Sequence, residues 1–302
     1  MSEPARLRLL ATAGLLAMTA AWGSTFVLIK DVVARMPVAD FLAVRFVVAA
    51  LAMLALFPRQ VRRLGLAGVG RGLALGAIYG GGQLLQTWGL ALIAPSVSGF
   101  ATGMYVVFTP ILATLLLRQR LPGTVWIAVA LATAGLALLS LDGWSVGLGV
   151  WLTLASAVLY ALHIVVLGHW TRAQDALGLS AVQMVAIAVV CALATLPHGG
   201  PAAPPDGRAW LAVLYMALVA GAGAMLMQTW AQAHLPATRA AIVMTTEPVF
   251  AAAFAVAFGS DVPSWRMLAG GVLVLGAMYL VELAPRRQPA GALPAEAVHH
   301  EV

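Results

Sequence analysis

LLATAGLLAMTAAWGSTFVLI, residues 9–29, contains no charged side chain. Arg6 and Arg8 precede it and Lys30 follows it. At 1.5 Å per residue, a helix of this length covers about 30 Å, the thickness of a bilayer's hydrocarbon core. A signal peptide has a shorter apolar core, about 7–15 residues. The segment therefore reads as an uncleaved membrane helix. Its apolar residues run continuously rather than alternating, which excludes a barrel strand.

The rest of the chain repeats this pattern. Of the 302 residues, 62% are hydrophobic and 9% charged, and the mean hydropathy is +0.95. No polar stretch is long enough for a separate soluble domain. Proline and glycine punctuate the apolar runs at Pro37, Pro58, Pro95, Pro122, Gly143, Gly178, Pro201–Pro205, Pro236 and Pro263. These breaks predict spans at 9–29, 40–57, 72–93, 97–117, 123–141, 147–168, 179–197, 209–232, 238–259 and 265–284. The expected fold is all-α and integral to the membrane, with ten transmembrane helices. Residues 1–8 form a short N-terminus, and residues 285–302, rich in proline and acids, read as a disordered tail.

Charge placement tests the count. With the N-terminus in the cytoplasm, the inside set is Arg6, Arg8, Arg59, Arg62, Arg63, Arg71, Arg118, Arg120, Arg172, Arg239, Arg286 and Arg287. The outside set is Lys30, Arg35, Arg208 and Arg266. That imbalance follows the positive-inside rule, and an even span count puts both termini in the cytoplasm. Orientation also accounts for the net charge of +6, so no nucleic-acid partner is implied. Cys191, the single cysteine, cannot form an intrachain disulfide.

The two halves repeat each other. Trp22 matches Tyr160 at an offset of 138, as do Ala43-Val44-Arg45 with Ala181-Val182-Gln183, and Pro110 with Pro248. Gln86-Thr87-Trp88 matches Gln228-Thr229-Trp230 at 142. The repeats are residues 9–141 and 147–284. Five spans is odd, so the halves should be inverted, with a substrate site near the midplane between them.

Trp22-Gly23-Ser24-Thr25-Phe26, Lys30, Arg45, Ser98-Gly99-Phe100 through Phe108-Thr109-Pro110, and Glu247-Pro248 together resemble the EamA branch of the drug/metabolite transporter superfamily. The resemblance covers residues 9–284. It implies ten helices, cytoplasmic termini, a central cavity, and export of amino acids, other metabolites or drugs. Tyr160 and Gln183 depart from an ideal repeat, so the halves bring unequal polar groups to the cavity. Sixteen arginines to one lysine suggest a GC-rich bacterial genome, hence an inner membrane.

Several side chains are out of place in lipid. Glu247 lies eight residues from Arg239, about 12 Å along a helix. It reads as a proton-coupling group, as a partner for a substrate ammonium, or as a structural acid bonded beside the Pro248 kink. Arg45, about 8 Å from the outer boundary, reads as a brace or a snorkelling residue before a carboxylate binder. Lys30 reads as a snorkelling residue or an external gate. Trp22, Tyr79, Gln83, Gln86, Tyr105, Tyr160 and His163 are the substrate-cavity candidates. Tyr79, Gln83 and Gln86 share one helical face, and polar groups in lipid must find partners. Interhelical hydrogen bonding is the plainer account of the set. Pro110 and Pro248 are hinge candidates, since each removes a backbone donor. Gly72, Gly76 and Gly80 mark a close helix contact, as core packing before a sliding surface or a dimer seam.

No Walker loop surrounds Lys30, and no HExxH, GxSxG or paired-cysteine motif occurs. Neither an enzyme nor a cofactor or metal is expected. The partners are the bilayer and a small solute, with the chain read as monomeric. A secondary exporter of small metabolites working by alternating access is the leading reading. An amphipathic zwitterion such as an amino acid, aromatic ones included, fits the few cations better than a nucleotide sugar would. A multidrug exporter and a passive facilitator are the alternatives.

Overall fold

A computed structural model describes residues 3–117, 123–142, 145–170, 176–224, 226–227, 231 and 243–283. Gln228–Trp230, Pro236, Arg239, Arg118, Arg120 and the tail from Pro285 lie outside the described residues.

Helices dominate. α1 (Glu3–Val33) and α2 (Val38–Leu56) are joined by a turn at Pro37, whose fixed φ suits a helix entry. A short α3 (Pro58–Arg63) leads into α4 (Gly65–Leu92), with Gly65 at φ +64° making the corner. α5 (Pro95–Gly103), α6 (Tyr105–Leu117) and α7 (Gly123–Ser140) follow. A two-residue antiparallel pair, Leu141–Asp142 with Ser145–Val146, connects to α8 (Leu148–Trp170) and α9 (Ala176–Leu193). α10 (Gly207–Leu214) passes into a π-helical segment, Tyr215–Gly223. α11 (Glu247–Ala257) and α12 (Trp265–Leu283) complete the described chain.

Among the described residues, four helical stretches are long and apolar enough to cross a bilayer: Leu9–Val33, Val38–Leu56, Pro95–Leu116 and Leu148–Leu167. Gly123–Leu139, Leu177–Leu193, Gly207–Gly223, Glu247–Ala257 and Trp265–Leu280 are apolar but shorter. The span expected at 72–93 corresponds to α4, which ends at Leu92 and carries Gln83 and Gln86 within the apolar run.

Three expected spans are not single α-helices. Residues 97–117 break at Met104, where α5 ends and α6 begins. Residues 209–232 pass from α-helix to π-helix at Tyr215. In 238–259, a turn at Thr245–Thr246 precedes α11, so Glu247 opens a helix instead of lying within one. A first-turn carboxylate suits the positive end of the helix dipole.

The most extensive pairings are α4 with α8, α7 with α12, α4 with α9, α2 with α9, and α1 with α11. One apolar cluster joins α1, α2 and α9 through Phe41, Leu42, Met53 and Ile187; another joins α5 to α8 with α12 through Val107, Ala132, Ala157 and Met278. Gly72, Gly76 and Gly80 pack α4 against α9. A Cβ added at Gly76 would lie 2.5 Å from the Gln183 carbonyl oxygen. That stripe is therefore interior packing. Pro110 lies inside α6, whereas Pro248 stands in the first turn of α11, where a missing N–H costs no helix bond.

Candidate functional site

Polar side chains withheld from lipid close on one another where α4, α5, α8 and α9 meet. The predicted face of α4 carries Tyr79, Gln83 and Gln86. The Tyr79 ring centroid lies 5.0 Å from that of Tyr160 and 5.1 Å from that of His163, tilted to the first and edge-on to the second. Gln83 is 7% exposed and lies one turn along from Tyr79 on the same face of α4. The Tyr160 hydroxyl donates to Gln86 Oε1 at 2.8 Å, and Gln86 Nε2 donates to Thr102 Oγ1 at 2.9 Å. His163 Nε2 lies 2.6 Å from Gln183 Oε1. An amide oxygen only accepts, so that ring nitrogen carries the proton.

Two charged residues act on this cluster. Arg45 is buried on α2, with its guanidinium 5.1 Å from the Phe46 ring centroid and its Nε without a hydrogen-bond partner among the described residues. A buried position does not fit a snorkelling arginine, whose head group reaches water. Glu247 approaches from α11, half-buried. Arg45 and Glu247 both act electrostatically on Tyr79 and Tyr160, with opposite sign.

The other candidates stand apart. Trp22 Nε1 donates to the Ala220 carbonyl at 2.7 Å, within the π-helical segment. Nearby, the Ser24 and Tyr215 hydroxyls pair at 3.0 Å. Tyr105 packs beside the cluster of α5 to α8 with α12. Lys30 Nζ donates to the carbonyls of Leu90, Ala91 and Ile93 at 3.0, 3.2 and 2.7 Å, capping the end of α4.

Thr102 and Gln183 were not among the candidate site residues. Gln183 was legible only as the counterpart of Arg45 that had lost its charge. The structure makes that change useful: an amide at this position reaches His163, which a second arginine could not hold as an acceptor. Thr102 carried no signal, because threonine is common in membrane helices and here its partner comes from another helix.

The EamA-like transporter family matches residues 9–141 and, a second time, residues 147–283. The chain belongs to the EamA-like transporter family. It is thus a multi-pass membrane protein that moves small solutes. It is similar to an uncharacterized transporter of Archaeoglobus fulgidus, 28% identical over 277 residues, covering 91% of this chain and 87% of that one. A solved crystal structure, 19% identical, superposes with a TM-score of 0.63 over 89% of this chain and 95% of its own. At that identity the likeness is one of fold.

Proposed function

We propose that this EamA-like protein exports small metabolites, amino acids and aromatic ones among them, by alternating access across a bacterial inner membrane. The observation that carries the reading is the Tyr79–Tyr160–His163 cluster, on whose tyrosines both Arg45 and Glu247 act. Aromatic faces attract flat or cationic groups. A guanidinium and a carboxylate near the same rings suit the two ends of a zwitterion. The amides of Gln86 and Gln183 hold the Tyr160 and His163 rings in place, so binding requires little reordering.

The pairing of helices supports two inverted repeats of five spans, residues 9–141 and 147–284. At an offset near 138, α2 corresponds to α9, α5 with α6 to the region of α11, and α7 to α12. Two of these pack against their own counterparts: α2 on α9 and α7 on α12. Self-pairing of equivalents is what a pseudo-two-fold axis produces, and the tyrosine cluster lies beside such contacts.

Counterflow in liposomes tests the reading. Purified protein should exchange labelled phenylalanine or tyrosine, with flux responding to a pH gradient. Glu247→Gln should remain folded and lose most of the flux, with a flattened pH profile, because a neutral amide keeps the shape and loses the charge. Full activity with an unchanged profile would remove Glu247 from coupling. Flux of lipophilic cations alone would indicate a drug exporter, and flux indifferent to the gradient a facilitator.

A further inference from the structure

The short helix α3 sits between the end of α2, which is long and apolar enough to cross the bilayer, and the start of α4. It is held against the bundle from two sides. Phe57, just before it, and Val61 within it pack against the apolar cluster of α1, α2 and α9. The start of α9 closes on its backbone, where a Cβ added at Gly178 would lie 2.6 Å from the Gln60 carbonyl oxygen.

Arg59, Arg62 and Arg63 are three and four residues apart, so they share one helical face, turned away from Val61. All three are exposed. No carboxylate on a neighbouring helix answers them. α3, α4 and α9 contain no acidic residue, and the one acid of α2, Asp40, stands in its first turn, at the far end. The ion pairs among the described residues join Arg35 and Arg208 to Asp31 and Asp206, at that far end too. Arg71 is engaged elsewhere, with Nη1 donating to the Trp170 carbonyl at 3.5 Å. Residues 171–175, before α9, carry one charge of each sign, Arg172 and Asp175.

Apolar side chains border these cations. Leu56 is 59% exposed and Leu66 is 92% exposed, one on each side of the three arginines in the chain. A guanidinium fork matches a phosphate oxygen pair, and three unopposed cations repel a headgroup that carries its own ammonium. A free anion would have no use for the leucines, whereas a phospholipid meets both features at once. We propose that this face of α3 is a docking surface for an anionic phospholipid of the leaflet it borders. The arginines hold the headgroup phosphate, and Leu56 and Leu66 lie along the acyl chains. The surface is separate from the tyrosine cluster and needs no transported solute.

Gly70 lies one turn beyond Leu66 on the same face of α4, and an added Cβ there meets nothing within 4 Å. Cys191 is buried, so Gly70→Cys in the full chain supplies one accessible thiol for a fluorophore. In vesicles of phosphatidylcholine, the label is quenched by lipids that carry a spin label on the acyl chain. Spin-labelled phosphatidylglycerol should reach half-maximal quenching at about fivefold lower mole fraction than spin-labelled phosphatidylcholine, the gain of one arginine near an anionic surface. Arg62→Gln combined with Arg63→Gln should bring the two curves together. Arg208→Gln, at the other end of the molecule, should leave them apart. Coincident curves in the unsubstituted background would overturn the proposal, as would a preference that survives the double glutamine change. The comparison of the two lipids needs no arginine change, so it decides the matter even if the double variant fails to fold. Loss of the preference when inorganic phosphate replaces chloride at equal ionic strength would assign the arginines to a free anion instead, and would equally overturn it.

Discussion

Gln183 shows how one side chain organises several. Its amide oxygen accepts from His163, whose ring stands edge-on to Tyr79, which in turn faces Tyr160. Gln183→Leu would keep the volume and leave a buried ring N–H unpaired, at a cost of about 1–3 kcal/mol. The expected outcome is a lower unfolding midpoint in detergent, with transport affinity lost as His163 turns. Gln183→Glu restores an acceptor and should recover the orientation in part. An affinity unchanged in Gln183→Leu would show that His163 is held by packing alone. The aromatic face of α4 was legible from spacing. The Gln86–Thr102 and His163–Gln183 bonds were not, because each joins helices whose contact no local pattern encodes.

At the scale of elements, the sequence reading succeeds where proline or glycine forces a boundary, as at Pro37, Pro58 and Pro95. It fails where tertiary contact sets the register. Nothing in residues 215–223 announces a π-helix. The Trp22 bond to the Ala220 carbonyl is the kind of external partner that stabilises one. The break at Met104 is equally silent in composition. Two predictions belong here. Gly76→Leu would push α4 from α9, where an added Cβ already meets the Gln183 carbonyl, and overpacking of this kind costs about 1–3 kcal/mol. Reduced folded yield together with impaired transport would be seen; a stable, active variant would mean that the two helices are free to part. The second concerns α10, whose first turn is capped by Asp206. The Ala209 amide donates to Asp206 Oδ1 at 2.8 Å, and that bond, followed by Arg35, holds the carboxyl below its usual range. A depressed carboxyl contributes stability that is complete above its ordinary value of 3.8 and fades as pH falls through the lower folded value. Asp206→Ala should therefore lower the unfolding midpoint at neutral pH. The gap to the unchanged protein should close in strong acid. A gap independent of pH would assign the effect to the helix alone.

For the whole molecule, charge and connectivity meet at the ends of the bundle. Arg35 pairs with Asp31 at 2.8 Å and with Asp206 at 2.5 Å, joining the end of α1 to the start of α10. Lys30, Ser96 and Asp261 lie around the same end of α1. Arg59, Arg62 and Arg63 lie on α3, at the opposite end of α2 from Asp40. Cations at the first end are engaged with carboxylates or helix carbonyls, whereas the α3 arginines have no ion pair among the described residues. That difference matters for orientation. The positive-inside rule counts cations near span ends, and here the denser, unpaired set follows α2. The α3 side should therefore face the cytoplasm and the Arg35–Asp206 side the exterior. Ten spans would then return the C-terminus to the side of the N-terminus. Reporter fusions decide this at two places. A periplasm-active reporter placed within Pro201–Pro205 should be active, and one placed at Arg118–Arg120 silent. A reporter active only in the cytoplasm should give the opposite pattern. If both loops report the same side, a span has been gained or lost between them and the inverted repeat cannot hold. If both are reversed, the count survives and the chain lies the other way round.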